Sequence, residues 1–376
     1  MFNREKDGEL ETLLVYVDDI LILMYQEGIE RFITEFRAKW PEITVQMGPK
    51  VGHLGVEIDM SVPGKVSLMM TKHLNKIRES WKDLHSLAVN AGEISDNLYN
   101  VRDTVPCNVE LFNIKDDSVA LSRKSREAFH SIVMAIFYVA KRVKPETLTV
   151  CSFLAGRVKA PTRDDLAKLR RLVSYLESTK EMAFMMAPRG IYLEMYIDAS
   201  HAVHRTDGRS HTGIVLTLGG APFYCSSSRQ ELNTRSSTES EIVAMSSASS
   251  MIQWARQFMQ EQGFKDILPA HCWEDNESAL KLWEKGYSTA KETKHIETRY
   301  FYMTDLSRRR IVTLEHIGTE DQLADILTKG LSESKFIMLR DRLFGSYSKL
   351  HELKRNIVSA TQKIGNINRK VKFSEE

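Results

Sequence analysis

Cysteine is scarce in this sequence, and long apolar runs are absent. The four cysteines, Cys107, Cys151, Cys225 and Cys272, stand far apart without a CxxC pair, so neither a zinc site nor a disulfide framework is indicated. No uninterrupted apolar stretch approaches the roughly 20 residues that a membrane-spanning helix needs. The first segment, MFNREKDGEL, lacks the apolar core of a signal peptide. We therefore expect a soluble, reduced, intracellular protein without a membrane partner.

Charge of one sign is not in excess either. The 52 Lys and Arg residues nearly balance the 50 Asp and Glu residues, and the net charge is +2. Net charge alone therefore does not direct the chain to nucleic acid. We interpret 336–376 as a helix that runs into a basic tail, which a solvated end explains more simply than phosphate contacts do. Its basic residues include Lys349, Lys354, Arg355, Lys363, Arg369, Lys370 and Lys372.

The hydrophobic pattern changes along the chain. Near the start, ETLLVYV and ILILMY read as a hairpin, residues 27–39 as a helix, and a second hairpin turns at Pro63-Gly64. A mainly helical region follows, with helices that begin near Ser125 and at Thr162. The predicted regions are 1–80, 81–190, 191–335 and 336–376.

Strands and helices alternate within 191–335. Apolar residues occupy every second position of IYLEMYIDAS, and two further strands meet at Gly219-Gly220. A long helix over 238–262 is followed by the strand ILPAHCWED, the helices NESALKLWEK and 292–308, the strand IVTLEHI and the helix EDQLADILTK. The order β-β-β-α-β-α-α-β-α predicts an α/β fold class, with a mixed five-stranded sheet and helices on its faces.

Four acidic residues stand at the ends of these elements, where a sheet could present them together. Asp198 closes the first strand and Asp275 the fourth, while Glu241 lies near the start of the long helix and Asp325 in the last helix. Oxygen ligands from several elements suit phosphodiester hydrolysis with two divalent ions about 4 Å apart. Each acid also has a simpler explanation, as an exposed strand end, a helix cap or a complement to a helix dipole.

Two glutamates at the start of the long helix are candidates for the metal ligand. Glu239 and Glu241 each complete a capping box with a residue three positions earlier. Glu241 shares its helical face with apolar residues such as Met245, so we predict that it points toward the sheet. Glu239 is predicted to cap the helix.

The segments YIDAS, SSTESEIVAM, EDN and QLADILTK, in this order, resemble the ribonuclease H domain of copia-type retrotransposon Pol polyproteins. The resemblance implies a ribonuclease H-like fold and metal-dependent cleavage of the RNA strand of RNA–DNA hybrids. It implies two Mg²⁺ ions, with Mn²⁺ as an alternative, bound by Asp198, Glu241, Asp275 and Asp325. Asp198 would bridge both ions, Glu241 and Asp275 would complete one site, and Asp325 the other. A cytoplasmic (particle-associated) or nuclear location follows from the same resemblance.

Basic residues before the last strand are candidates for holding the nucleic acid. The stretch KHIETRYFYMTDL is similar to a Lys-His-Ile stretch of the same family. We predict phosphate contacts from Lys291, Lys294, His295 and Arg299. A solvated helix face explains any one of them equally well. The expected partner is an RNA–DNA hybrid, with duplex or single-stranded nucleic acid as further candidates, and the oligomeric state is left open.

The segment YVDD resembles the reverse transcriptase signature, in which Asp18 and Asp19 hold metal. HLGVEID and GKVSLMMTKHLNKI resemble the primer grip, and FHSIVMAIFYVAKRVKPETLTV the helical segment that joins polymerase to ribonuclease H. The family's other metal-binding Asp, in an Asp-hydrophobic-x-x-Ala-Phe motif, has no match before Asp18. We therefore interpret 1–80 as a palm and primer-grip remnant with a vestigial metal site, and 81–190 as a thumb- or connection-like region.

Three interpretations follow from the sequence. The first is a ribonuclease H attached to an incomplete reverse transcriptase. The second is a catalytically inactive remnant that binds nucleic acid. The third is part of a full RNA-directed DNA polymerase whose upstream portion is missing from this chain.

Overall fold

The computed structural model describes residues 1–6, 8–95, 102–264, 267, 269–286 and 302–345. The helices are α1 (Gln26–Lys39), α2 (Thr71–Asn90), α3 (Arg123–Ala140), α4 (Leu148–Arg157), α5 (Arg163–Ser178), α6 (Ser237–Glu261), α7 (Glu277–Lys285), α8 (Tyr302–Arg308) and α9 (Glu333–Leu343). The strands are β1 (Phe2–Lys6), β2 (Glu9–Tyr16), β3 (Asp19–Leu23), β4 (Lys50–His53), β5 (Val56–Asp59), β6 (Val66–Met69), β7 (Phe184–Met186), β8 (Leu193–His204), β9 (Arg209–Leu218), β10 (Ala221–Arg229), β11 (Ala270–Glu274) and β12 (Val312–His316). Short 3-10 helices cover Pro145–Thr147 and Leu323–Leu327, and we call the second one the last 3-10 helix. Within the described residues, no helix is both long and apolar enough to cross a membrane.

The largest sheet has five strands in the order β10-β9-β8-β11-β12. Strands β8, β9 and β10 are antiparallel neighbours, whereas β11 runs parallel to both β8 and β12. This mixed sheet with helices on its faces confirms the predicted α/β fold class. Because β8, β11 and β12 run in one direction, the carboxyl ends of β11 and β12 meet at one edge of the sheet. Strand β8 continues past this edge to His204, so the prediction that Asp198 closes the first strand is wrong.

One face of this sheet is covered by α6, α7 and α8. Alternation along β8 sends Met195 and Ile197 into this core, where they meet Met245, Ala248 and Ile252 of α6. Each of these side chains is at most 1% exposed. The apolar face predicted for the long helix is therefore confirmed.

The opposite face of the sheet packs against the helices that precede it. Tyr196 of β8 belongs to the same buried cluster as Leu154 of α4 and Leu339 of α9. The regions on either side of residue 190, and on either side of residue 335, therefore share one hydrophobic core. The predicted division of the chain into four regions did not anticipate a core common to several of them.

The first region forms two smaller sheets, β1-β2-β3 and β4-β5-β6-β7. Both predicted hairpins are present, because β2 and β3 flank Val17 and Asp18, and β5 and β6 flank the Pro63-Gly64 turn. Strand β1 was not predicted, since its sequence FNREK is polar and mostly exposed and so shows no apolar alternation. Strand β7 joins the second sheet from more than 110 positions after β6, a pairing that local sequence does not encode.

The helix predicted over EDQLADILTK is wrong, because five of these residues form the last 3-10 helix instead. Gln322 Nε2 donates a hydrogen bond of 2.8 Å to the carbonyl oxygen of Ile197 in β8. The carbonyl oxygen of Ile326 accepts a hydrogen bond from the Thr149 hydroxyl, and the carbonyl oxygen of Leu327 accepts one from the Ser227 hydroxyl. In an α-helix these carbonyl groups would accept from backbone N–H groups of the helix itself. Contacts with the sheet and with α4 therefore replace the hydrogen bonds of an α-helix.

Candidate metal centre

The parallel pairing of β8 with β11 brings two of the predicted acids side by side. Tyr196 pairs with Trp273, so the same register two positions later sets Asp198 beside Asp275. Glu241 reaches the same edge from the start of α6, and ligand oxygens of the three carboxylates lie within 4.8 Å of one another. Among the described residues, no other group of three His, Cys, Asp or Glu side chains is close enough to share a metal ion.

Glu241 points into the site because other groups cap α6. Ser236 is the N-cap, and its hydroxyl accepts a hydrogen bond of 3.2 Å from the backbone N–H of Glu239. Glu239 Oε2 in turn accepts a hydrogen bond of 2.7 Å from the backbone N–H of Arg235. Glu239 therefore belongs to the cap, as predicted, while Glu241 faces the sheet and accepts from the backbone N–H of Ala199.

The carboxylates of this group are crowded and largely removed from water. Asp198 is 2% exposed and Glu241 is 4% exposed. Burial raises the pKa of Asp198 to about 7, and the nearby Lys329 ammonium opposes this rise. Burial also raises the pKa of Glu241 well above its ordinary value, and the negative charge of Glu274 adds to the effect. A bound cation would offset this electrostatic cost by pairing with the buried negative charges.

Glu274 is a member of the site that sequence reasoning missed. It is fully buried, and burial raises its pKa well above the ordinary value. Its Oε1 accepts a hydrogen bond of 3.0 Å from the backbone N–H of Asn276, the N-cap of α7. Strand alternation could have identified it. Every second residue of β11 is buried, namely Ala270, Cys272 and Glu274, so Glu274 lies on the same face as two buried small residues.

Asp325 lies next to this group without joining it. It is fully buried, with Oδ1 2.6 Å from Lys329 Nζ and Oδ2 2.7 Å from Lys335 Nζ. Lys329 Nζ is also 3.6 Å from Asp198 Oδ2, and the Thr328 hydroxyl donates to that same oxygen. Asp198 and Asp325 are therefore neighbours joined by an ammonium group. The sequence offers a local signal for Lys329, four positions after Asp325, but none for Lys335.

The acidic pair of the first hairpin is not part of a comparable site. Asp18 lies in the turn between β2 and β3, Asp19 opens β3, and both are exposed. Val17 adopts a positive φ of 55° and is 85% exposed. Within the described residues, no third His, Cys, Asp or Glu completes a metal-binding group with this pair.

The predicted phosphate-binding residues Lys291, Lys294, His295 and Arg299 lie outside the described residues. The same holds for the basic residues after 345 and for the part of the predicted helix 292–308 that precedes Tyr302. His316, by contrast, lies in β12, within the predicted strand IVTLEHI.

The donor set of the three converging carboxylates fits a divalent cation. Hard cations such as Mg²⁺ prefer carboxylate oxygens from several elements. Oε2 of Glu241 and Oε2 of Glu274 are buried and have no hydrogen-bond partner among the described residues. Burying such an oxygen is costly unless a cation compensates it. Asp198, Glu241 and Asp275 are the residues that could hold the ion directly, with Glu274 beside them.

Proteins of similar sequence point to one family. The retrovirus-related Pol polyprotein from transposon TNT 1-94 of Nicotiana tabacum is 23% identical over 350 residues, which cover 92% of this chain and 25% of that protein. The chain is a relative of copia-type retrotransposon Pol polyproteins. The Pol polyprotein from transposon RE1 of Arabidopsis thaliana is 30% identical over 209 residues, which cover 55% of this chain and 14% of that protein. The chain thus spans a quarter or less of these Pol polyproteins, and no family model matches it.

Two solved structures align with parts of this chain at low scores. LC11-RNase H1, solved in complex with an RNA/DNA hybrid, aligns with a TM-score of 0.28 at 15% identity, over 36% of this chain and 93% of that chain. A foamy viral protease-reverse transcriptase, also solved with an RNA/DNA hybrid, aligns with a TM-score of 0.43 at 13% identity, over 82% of this chain and 36% of that chain. At these scores the likeness adds no argument about function.

Proposed function

We propose that this chain is the ribonuclease H-bearing part of a Pol polyprotein and cleaves the RNA strand of RNA–DNA hybrids. The observation that carries the proposal is the convergence of Asp198, Glu241 and Asp275 within 4.8 Å. The three residues come from the middle of β8, the position after β11 and the start of α6. Their motifs are those that resemble ribonuclease H. The choice of a hybrid as substrate rests on that resemblance and on the Pol relatives.

The chemistry follows from where the three carboxylates lie. A divalent ion bound there, Mg²⁺ or Mn²⁺, supplies a water of lowered pKa and positive charge beside the phosphate. Asp198 is fixed for this task by the Thr328 hydroxyl, and Glu241 by the Ala199 backbone N–H. Glu241 and Asp275 orient the attacking water, and the products are a 3′-hydroxyl and a 5′-phosphate.

No polymerase activity is proposed for this chain. Asp18 and Asp19 keep the hairpin geometry of the YVDD segment, but no third described ligand stands beside them. Two carboxylates on an exposed turn are a weak site for the divalent ions that nucleotidyl transfer uses.

A chain that binds nucleic acid without cutting it is the second candidate function. It is favoured by the state of Asp325, whose carboxylate is already paired with two ammonium groups. Such a binder would show an affinity that falls with salt and would release no product.

Cleavage of a labelled hybrid in the presence of Mg²⁺ tests the proposal, with RNA duplex and DNA duplex of the same sequence as parallel substrates. We expect cleavage of the RNA strand of the hybrid alone, and a loss of about 100-fold or more in Asp275→Asn. Asp305→Asn, which changes an exposed carboxylate of α8, is the matched control and should cut normally. Salt-dependent binding without product would favour the second candidate and overturn the proposal.

A further inference from the structure

Two lysines converge on one buried carboxylate beside the metal centre. Asp325 is fully buried, yet each of its oxygens lies within 2.7 Å of a lysine Nζ, Lys329 on one side and Lys335 on the other. Ion pairs between exposed side chains contribute little, but this pair of contacts is shielded from water on the carboxylate side. A buried carboxylate in such a position requires compensation by positive charge.

The Lys329 ammonium group lies close to two carboxylates. Its Nζ lies 2.6 Å from Asp325 Oδ1 and 3.6 Å from Asp198 Oδ2. The ammonium group therefore lies between the two acids that a second metal ion would have to bridge.

Lys335 is held in place by the packing of α9. The next residue, Phe336, and Leu339 are buried in the core shared with the helices α2–α5. Lys335 Nζ also donates a hydrogen bond of 3.2 Å to the carbonyl oxygen of Thr319. The Lys335 side chain is only 19% exposed. It is therefore a fixed ion-pair partner of Asp325 and not a mobile surface charge.

We propose that Lys329 and Lys335 occupy the cation position at Asp325, so that the metal-free site accepts one divalent ion, at Asp198, Glu241 and Asp275. Two lysine charges already balance Asp198 and Asp325. A second divalent ion would add two positive charges within a few ångströms of two ammonium groups, in a setting where repulsion is weakly screened. The inference deepens the proposed function, whose resemblance implies two ions, but it concerns ion binding and can be measured without any cleavage.

Calorimetric titration of the full chain with Mn²⁺, in the absence of nucleic acid, measures the number of ions. We expect one ion for the wild-type chain and none in the same concentration range for Asp275→Asn. Asp325→Asn keeps the shape of the side chain and should still bind one ion with an affinity within twofold of wild type. Two ions in the wild-type chain, or loss of an ion in Asp325→Asn, would overturn the inference.

A double variant supplies the converse test. Lys329→Gln with Lys335→Gln keeps hydrogen-bond donors near Asp325 but removes both charges, and we expect this variant to bind a second Mn²⁺ ion. Lys281→Gln, which changes an exposed lysine of α7, is the control and should bind one. Circular dichroism checks that the double variant is folded; if it is not, the wild-type and Asp325→Asn titrations decide the inference alone. A folded double variant that still binds only one ion would contradict the inference.

The two proposals fail separately. A chain that binds one ion but leaves the hybrid intact would refute the proposed function and leave the lysine assignment standing. A chain that cleaves the hybrid but binds two Mn²⁺ ions in the absence of nucleic acid would refute the lysine assignment and leave the proposed function standing.

Discussion

The Thr149 hydroxyl donates a hydrogen bond of 2.8 Å to the carbonyl oxygen of Ile326, a residue 177 positions later in the chain. Thr149 belongs to α4, in the region interpreted from sequence as thumb- or connection-like. Ile326 follows Asp325 in the last 3-10 helix. The segment that carries Asp325, beside the metal centre, is therefore held in part by a helix that precedes the five-stranded sheet.

Thr149→Val tests this coupling. The substitution keeps the shape of the buried side chain and leaves the Ile326 carbonyl without its partner, which should cost about 1–3 kcal/mol of unfolding free energy. Urea denaturation measures this loss, and the hybrid assay should show reduced cleavage. Thr149→Ser retains the hydroxyl and serves as the control. Equal stability of the two variants would show that the hydrogen bond does not hold the last 3-10 helix.

Gly213→Ala tests the close approach of β9 to the last 3-10 helix. A Cβ atom at this position would lie 2.6 Å from Thr328 Cγ2 and 2.9 Å from the backbone oxygen of Ala324. The helix would have to move, and Thr328 would lose its place beside Asp198. We expect a destabilisation of about 1–3 kcal/mol and at least a tenfold loss of cleavage.

The control for this substitution is Gly156→Ala, in α4. In the part of the chain that the structure describes, no atom lies within 4 Å of a Cβ built there. Alanine favours a helix over glycine by about 1 kcal/mol. Thermal unfolding should show this variant to be as stable as the wild type or more so. If Gly213→Ala behaves like Gly156→Ala, the proximity of β9 to the last 3-10 helix has no effect on the site.

Glu241→Gln should stabilise the chain when no metal is present. Burial and neighbouring carboxylates raise the pKa of Glu241, so its ionised form is disfavoured in the folded state. The free energy of unfolding should therefore fall as pH rises above the ordinary pKa of a glutamate, and the variant should lose part of this dependence. At pH 8 in a chelator we expect a gain of about 1 kcal/mol.

Thermal unfolding with and without Mg²⁺ measures this effect. Added Mg²⁺ should raise the melting temperature of the wild type more than that of Glu241→Gln, because the ion needs the carboxylate. Glu284→Gln, at an exposed position of α7, should respond as the wild type does. A destabilised Glu241→Gln in the chelator would contradict the account of the crowded acids.

The burial of His211 should make the folded chain less stable at acidic pH. This histidine is fully buried against Phe112, with its Nδ1 3.0 Å from His204 Nε2 and its Nε2 2.8 Å from the Ser227 hydroxyl. Burial lowers its pKa to about 3, and the adjacent His204 adds to the shift. Because the unfolded chain takes up the proton near pH 6.5, stability is full above that pH and is lost as pH falls below it.

Denaturant titrations at pH 7 and pH 5 check this expectation. The wild type should lose up to about 2 kcal/mol more than His211→Gln between these two values. His130→Gln, at an exposed position of α3, is the control and should match the wild type. If His211→Gln shows the wild-type pH dependence, another group is responsible for it.

Local sequence predicted the parts of the site that depend on periodicity. Alternation in β8 placed Asp198 on the face opposite Met195 and Ile197. The 3.6-residue period of α6 separated Glu241 from Glu239. The sequence predicted a mixed sheet, but the pairing of β8 with β11 and its register, which bring Asp275 to Asp198, come from the structure.

Long-range contacts determine what the sequence could not show. The last 3-10 helix departs from the predicted α-helix because Thr149 and Ser227 take its carbonyl groups. Lys335 lies ten positions after Asp325 and reaches it only because α9 folds back onto the core. Such contacts join residues that have no common period, so no local pattern predicts them.

The most direct test of the account is Mg²⁺-dependent cleavage of an RNA–DNA hybrid by three forms of the chain measured together: wild type, Asp198→Asn and Asp18→Asn. We expect the wild type and Asp18→Asn to cut the RNA strand at equal rates, and Asp198→Asn to be at least about 100-fold slower. Cleavage that is insensitive to Asp198→Asn, or a wild-type chain that leaves the RNA strand intact, would contradict the account.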